Sequence, residues 1–150
     1  MAEESEMERE PDVKVAGLSL WVRTRQFPDM DDFWDGDWLD VRARVEAPGS
    51  YVEISGPFLR NAELATFAQA LAFMDHNLAG SAELSCIEPN LHVEVSCRSL
   101  GHVRVVVAIT PDHMNQSHKF EFELDQSYLK SVLTECKRIA ERFPVRGAPI

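Results

Sequence analysis

The feature that most constrains the fold is an alternation of apolar and polar residues that recurs in separate segments. It is longest in residues 39–47, where the apolar positions are Leu39, Val41, Ala43, Val45 and Ala47. A period of two residues is typical of a strand with one buried face and one polar face. The same pattern in residues 91–98, 103–109 and 119–124 predicts three further strands.

Three other apolar segments predict the remaining strands. They lie at residues 13–22, 52–54 and 84–86. In the first of them the apolar phase slips at Ala16–Gly17, which indicates either a bulge or two short strands. We expect Gly56–Pro57 to end the strand that contains residues 52–54, because both residue types punctuate regular structure.

Two further segments have apolar residues at helical spacing. Residues 61–78 and 129–143 each place their apolar side chains on one face, so we expect two amphipathic helices. Most links between the predicted strands are too short for a parallel crossover. The fold class is therefore α+β, with a mainly antiparallel sheet of about six or seven strands and the two helices packed on one face.

The N-terminal residues differ in composition from the rest of the chain. Residues 1–12 hold six acids and one base and show no apolar periodicity, so we expect a disordered acidic tail before a single α+β domain at residues 13–150. The tail lacks the apolar core of a secretory signal. The longest apolar runs have five residues, against the ~20 that a membrane span needs, and we expect a cytoplasmic protein.

A second acidic segment lies inside the predicted domain. The net charge is −10, and residues 29–40 hold six aspartates and no base, whereas the remainder beyond the tail is close to neutral. Binding to a nucleic acid backbone needs clustered lysine and arginine, so we expect no direct nucleic acid contact. The charge instead favours a basic protein partner.

Aromatic residues interrupt this acidic segment and make it the candidate partner-binding site. The candidate residues are Asp31, Asp32, Trp34, Asp35 and Asp37, with the tryptophan as an anchor and the aspartates as steering charges. The alternative is that the aromatic residues anchor the loop to the core and the aspartates only face water. A calcium loop of the EF-hand type is excluded, because Phe33 and Arg42 would occupy ligand positions.

The sequence offers little for catalysis or cofactor binding. Cys86, Cys97 and Cys136 occupy apolar-phase positions, and we interpret all three as small buried residues. The motifs of a nucleophile elbow, a dinucleotide-binding turn and a Walker A loop do not occur in the sequence. We therefore expect no enzyme and no cofactor. Two alternatives stay open: a small metal-binding protein or enzyme that uses the Asp-rich loop or His113 and His118, and a general protein-interaction module.

Several longer strings resemble a known family. They are FPDMDDFWDGDWLDVRARVEAPG at residues 27–49, SGPFL before the first predicted helix, and IEPNL at residues 87–91. Together with the Phe-rich strand and the Leu-rich helix that follow, they resemble the WapI-type immunity proteins of bacteria over roughly residues 18–144. The most specific parts are residues 32–41 and 88–91.

The resemblance implies a non-enzymatic protein of the bacterial cytoplasm. In that family the role is to bind and neutralise a cognate toxin, the C-terminal domain of a wall-associated contact-dependent toxin that is typically a tRNA-cleaving nuclease. The resemblance does not identify the residues that contact the toxin. The choice of the acidic segment rests on its charge alone.

Overall fold

The computed structural model describes residues 9–147, in which eight strands and two α-helices follow one another. The elements are β1 (Val13–Val15), β2 (Leu18–Arg25), β3 (Trp38–Ala47), β4 (Ser50–Arg60), α1 (Asn61–Asn77), β5 (Ser81–Ser85), β6 (Leu91–Cys97), β7 (His102–Ile109), β8 (Lys119–Asp125) and α2 (Leu129–Arg142). Ala16 and Gly17 separate two short strands, which is one of the two outcomes that the slip in apolar phase predicted.

The strands form two antiparallel sheets and not the single sheet of six or seven strands that the sequence predicted. Strands β1 to β4 form the first sheet and β5 to β8 the second, each in chain order. Both sheets are meanders, since every pairing joins consecutive strands. Helix α1 interrupts the chain after four strands, and the next strand begins a new sheet.

The two predicted helices are confirmed, and they connect the two sheets. Helix α1 follows the first sheet but also contacts β5, whereas α2 follows the second sheet and contacts β1. The helices also contact each other. Buried residues from both sheets and both helices belong to one hydrophobic cluster, so the two halves share a core.

Strand β4 is longer than predicted. It continues through Gly56 and Pro57 to Arg60, and its register with β3 shifts between Leu39 and Val41. Pro57 cannot donate a ladder hydrogen bond, but β4 lies at an edge of its sheet, where proline is tolerated. Arg60 is followed at once by α1, so the end of β4 and the start of the helix are rigidly joined.

The ends of the chain fall partly outside the description. Residues 1–8 of the predicted acidic tail and residues 148–150 are not described. Next to them, the Arg9 carbonyl accepts a hydrogen bond from the Trp21 indole N–H (2.9 Å), and Oδ2 of Asp12 accepts one from the Val22 backbone N–H (2.7 Å). These bonds tie residues 9–12 to β2. No helix within residues 9–147 is long and apolar enough to span a membrane.

Candidate functional site

The acidic segment lies mostly in a loop, here called the acidic loop (residues 26–37), that connects β2 to β3. Its base is closed by a 2.8 Å hydrogen bond from the Gln26 N–H to the Trp38 carbonyl. Within the loop, the Gly36 N–H donates to the Asp32 carbonyl (3.0 Å), and the Asp35 N–H donates to Oδ2 of Asp32 (3.0 Å). This bond from Asp35 lowers the pKa of Asp32. The loop is thus held by its own hydrogen bonds.

Four aspartates and three large apolar side chains of the acidic loop are exposed. The aspartates are Asp29, Asp31, Asp32 and Asp35. Phe27 is 45% exposed, Met30 43% and Trp34 50%. Apolar side chains bordered by polar groups mark many interaction sites, because contact with a partner removes their surface from water. The predicted site residues Asp31, Asp32, Trp34 and Asp35 therefore all lie on one accessible loop.

Asp37 does not belong to that surface. Its side chain is fully buried, with 0% exposure, and its Oδ1 lies 3.4 Å from Nη1 of Arg25 and 2.8 Å from the backbone nitrogen of Arg146. Its carbonyl accepts a hydrogen bond from the first residue of α1, Asn61 (2.9 Å). A buried, paired carboxylate cannot steer a partner through water. The choice of Asp37 as a surface charge was wrong, and its contacts give it a structural role.

Arg60 packs against two aromatic residues of the acidic loop and against Trp38 at the start of β3. Its guanidinium carbon lies 4.6 Å from the ring centroid of Phe33, 4.8 Å from that of Trp34 and 5.7 Å from that of Trp38. Arg60 is only 3% exposed, and it also donates a hydrogen bond to the Phe33 carbonyl. The half-exposed Trp34 thus rests on a buried cation, which favours one orientation of its ring.

A C-terminal segment (residues 143–147) covers the other side of the acidic loop. The Arg146 guanidinium donates hydrogen bonds to the carbonyls of Pro28 (2.7 Å) and Met30 (2.6 Å). Arg25 joins both parts, because it donates to the Gly36 carbonyl (2.7 Å) and to the Pro144 carbonyl. The loop is therefore held by elements from both ends of the chain.

The close approach of the backbone explains the glycine in this loop. A Cβ on Gly36 would lie 2.4 Å from the Met30 carbonyl oxygen and 2.6 Å from that of Asp32. Both neighbours are backbone atoms, which cannot rotate away as a side chain could. Only glycine fits this position without moving the loop.

Sequence reasoning did not find Arg25, Arg60 and Arg146, the three arginines that hold the acidic loop. They come from β2, β4 and the C-terminal segment, far apart in sequence. Arg25 and Arg60 are buried at strand ends but look like solvated charges in the sequence, and Arg146 lies outside the predicted elements, so no local signal identifies the three. Phe33 and Trp38 are partly buried, as expected of residues that anchor the loop to the core, whereas Trp34 is exposed and remains the predicted anchor for a partner.

The residues named for an alternative metal site lie in two separate loops: the aspartates between β2 and β3, and His113 and His118 between β7 and β8. No group of three or more His, Cys, Asp or Glu side chains within residues 9–147 is arranged to hold a metal ion. His113 is exposed in the loop between β7 and β8, and His118 lies 3.3 Å from the Gln116 amide oxygen in the same loop.

The cysteines are less uniformly buried than predicted. Cys136 is buried, and burial raises the pKa of its thiol to about 12. Cys86 and Cys97 are only partly buried, and burial raises the pKa of both thiols. A thiol with a raised pKa holds little thiolate near neutral pH, which disfavours nucleophilic chemistry.

Two solved structures similar to this chain come from Arabidopsis thaliana. The alignment with WHY1 has 12% sequence identity and a TM-score of 0.49, and it covers 85% of this chain and 78% of WHY1. The alignment with WHY3 has 9% identity and a TM-score of 0.47, and it covers 87% of this chain and 85% of WHY3. No curated protein sequence matches this chain significantly.

The family comparison confirms the resemblance found in the sequence. The model of the immunity protein WapI-like family matches residues 13–144, which include every strand and helix described above. The match also includes the whole acidic loop, Arg25 on β2, Arg60 on β4 and the start of the C-terminal segment, although Arg146 itself lies beyond it. The chain therefore belongs to the immunity protein WapI-like family.

Proposed function

We propose that this protein is a non-enzymatic cytoplasmic immunity protein that binds and neutralises a cognate contact-dependent toxin domain, and that the toxin is a basic nuclease. Membership of the immunity family supports the immunity role. The finer parts of the proposal, namely the class of toxin and the mode of binding, rest on the charge and shape of the acidic loop.

The observation that carries the proposal is the combination of exposed carboxylates and exposed apolar side chains on the acidic loop. Nucleases that bind RNA present positive charge to the phosphate backbone. The four exposed aspartates would attract such a surface and accelerate its capture. Covering it would exclude the RNA substrate, so neutralisation needs no chemistry from the immunity protein.

The fixed conformation of the loop favours tight binding. A loop that must become ordered on binding loses conformational free energy, whereas a preformed one does not. Arg60 holds the ring of Trp34 while half of its surface stays accessible. We assign Trp34 as the anchor and Asp31, Asp32 and Asp35 as the charges around it.

Growth and binding assays test the role. We expect a toxin domain encoded in the neighbouring reading frame, and co-expression of this chain should restore growth to cells that produce that domain. The purified toxin domain should bind the full chain. A neighbourhood without a toxin domain, or a toxin domain that does not bind, would contradict the proposed function.

Charge variants test the steering role of the loop. The double variant Asp31→Asn/Asp32→Asn should slow association and weaken its salt dependence, with little change in the dissociation rate. The matched control is Asp112→Asn/Asp125→Asn, which makes the same charge change at two other turns where aspartate also accepts backbone hydrogen bonds. Equal association rates for the two double variants at low salt would remove the acidic loop from the interface.

An aromatic variant tests the anchor. Trp34→Ala should increase the dissociation rate and weaken binding by about 2 kcal/mol, as removal of a central aromatic anchor does. Phe73→Ala is the matched control, because Phe73 is also an exposed aromatic residue but lies on α1. Circular dichroism melts of both variants exclude unfolding as the cause. A Trp34→Ala variant that binds as tightly as the control would exclude Trp34 as the anchor.

A further inference from the structure

A cleft that shares no lining residue with the acidic loop lies between the two sheets. Its volume is about 530 Å³. One wall is formed by residues 53–58 of β4 and the other by Glu88, Asn90 and Pro111 of the second sheet and its loops. Two of the strings that support the family resemblance, SGPFL and IEPNL, therefore contribute opposite walls.

The cleft follows the unpaired edge of β4. Six consecutive β4 residues line it, so residues of both faces of the strand contribute, and no β3 residue does. Strand β4 is the last strand of the first sheet and pairs only with β3. Edge strands β1 and β5 contact the helices α2 and α1, respectively. Residues 53–58 of the β4 edge line a cleft, so the backbone N–H and C=O groups that point away from β3 can pair with an added strand there.

The opposite wall is rigid. The Asn90 side-chain amide donates a hydrogen bond to the Thr110 carbonyl (3.0 Å), and the Thr110 N–H donates one to the Asn90 carbonyl (2.9 Å). These bonds fix the loop before β6 to the end of β7. On the β4 side, Gly56 has open space where a Cβ would lie, so the backbone there can be approached closely.

The charge of the cleft selects its occupant. The titratable residues that line it are Glu53 and Glu88, and no lysine or arginine lines it. Glu53 accepts hydrogen bonds from Arg42 and Tyr51, so its charge is already compensated. Glu88 makes no hydrogen bond or ion pair within residues 9–147, and the nearby Glu63 carboxylate, which accepts a hydrogen bond from the N–H of the preceding residue Ile87, has the same charge. An uncompensated carboxylate in a cleft favours a cationic side chain.

We propose that this cleft binds an extended segment of the toxin, which pairs with the edge of β4 and places a lysine or arginine side chain on Glu88. Residues 53–58 span roughly 17 Å, enough for about five extended residues. The inference rests on the proposed function, since it assigns a second contact to the same partner. The interface would then combine a charged, aromatic loop with a strand-addition site.

Hydrogen–deuterium exchange on the full chain, with the purified toxin domain as the probe, tests the cleft directly. We expect the backbone amides within residues 53–56 that point away from β3 to gain protection when the toxin domain binds. Glu88→Gln should raise the Kd about tenfold, because a hydrogen bond to a charged group is lost. Glu94→Gln is the matched control, since Glu94 is an exposed glutamate on β6 outside the cleft, and it should change the Kd less than about twofold.

The outcomes separate this inference from the proposed function. In one outcome the toxin domain binds and protects the acidic loop, but it does not protect residues 53–56 and binds Glu88→Gln as tightly as Glu94→Gln. The cleft is then not a binding site, whereas the immunity role stands. If the toxin domain does not bind the full chain, both proposals fail. Protection of residues 53–56 in the wild-type chain supports the cleft even if Glu88→Gln proves unstable.

Discussion

The backbone N–H of Arg146 donates a 2.8 Å hydrogen bond to Oδ1 of Asp37, 109 residues earlier in the chain. The same carboxyl oxygen lies 3.4 Å from Arg25. One buried carboxylate thus connects the end of β2, the acidic loop and the C-terminal segment. The exposed face that we propose for the toxin depends on this buried connection.

Removing the buried carboxylate should destabilise the fold. Asp37→Ala leaves the buried guanidinium of Arg25 without its carboxylate partner, and we expect a loss of about 3 kcal/mol in the free energy of unfolding. Asp35→Ala, two residues earlier and exposed, should change it by less than about 0.5 kcal/mol. Urea unfolding followed by circular dichroism measures both. Similar losses for the two variants would contradict the structural role of Asp37.

Replacing the arginine beneath the aromatic residues should loosen the acidic loop. Arg60→Lys keeps the positive charge but removes the planar group that contacts three rings, and we expect a loss of roughly 1–2 kcal/mol. Limited proteolysis should cut the loop faster than in the wild type. Arg98→Lys, an exposed arginine after β6, is the control. An unchanged cleavage rate in Arg60→Lys would show that the rings do not need the guanidinium.

A methyl group at Gly36 should displace the acidic loop. Gly36→Ala would bring Cβ within 2.4 Å of the Met30 carbonyl oxygen, so the backbone must move. We expect destabilisation of about 1–3 kcal/mol, the usual cost of overpacking, and weaker toxin binding. Gly49→Ala is a useful comparison, because Gly49 has open space around it but a positive φ of 76°. Only the change at Gly36 should affect binding, and an equal effect of both on binding would refute the argument.

The carboxyl group at the start of α1 should give a measurable pH dependence. Glu63 accepts hydrogen bonds from the N–H groups of Arg60 (2.7 Å) and Ile87 (2.7 Å), yet burial outweighs them and raises its pKa above 4.5. Between the ordinary and the raised pKa, the folded state holds a proton that the unfolded state has lost. Its contribution to stability is therefore present below pH 4.5 and is lost as pH rises through the raised pKa.

Glu63→Gln isolates this effect, because glutamine does not titrate. Urea unfolding of the wild type and the variant between pH 4 and pH 7 should show the wild type losing stability relative to the variant as the pH rises. A difference that is constant with pH, or that grows in favour of the wild type, would show that the pKa of Glu63 is not raised.

Much of the local structure could be predicted from the sequence. Alternation located the strands, and helical spacing located both helices, because burial of one face imposes each period. The partition into two sheets could not be predicted, since alternation reveals which face is buried but not which strands pair. The continuation of β4 past Pro57 was also missed, because an edge position that tolerates proline is a property of the whole sheet.

The candidate site was predicted less completely. Charge and aromatic content located the acidic loop, but Asp37 looks like its neighbours in the sequence and differs from them only through burial. The arginines could not be assigned to the loop, because their contacts join different elements, and those of the C-terminal segment join residues more than 100 positions apart. Local patterns carry no information on such long-range contacts.

The shared core has a consequence for how the chain can be divided. Each half, four strands and a helix, contributes buried side chains to one cluster, and each helix contacts an edge strand of the opposite sheet. Neither half alone could keep its apolar face from water. A cut at the exposed residues between α1 and β5 should give two fragments that are unstructured separately and assemble when mixed, so that immunity could be made conditional on the presence of both.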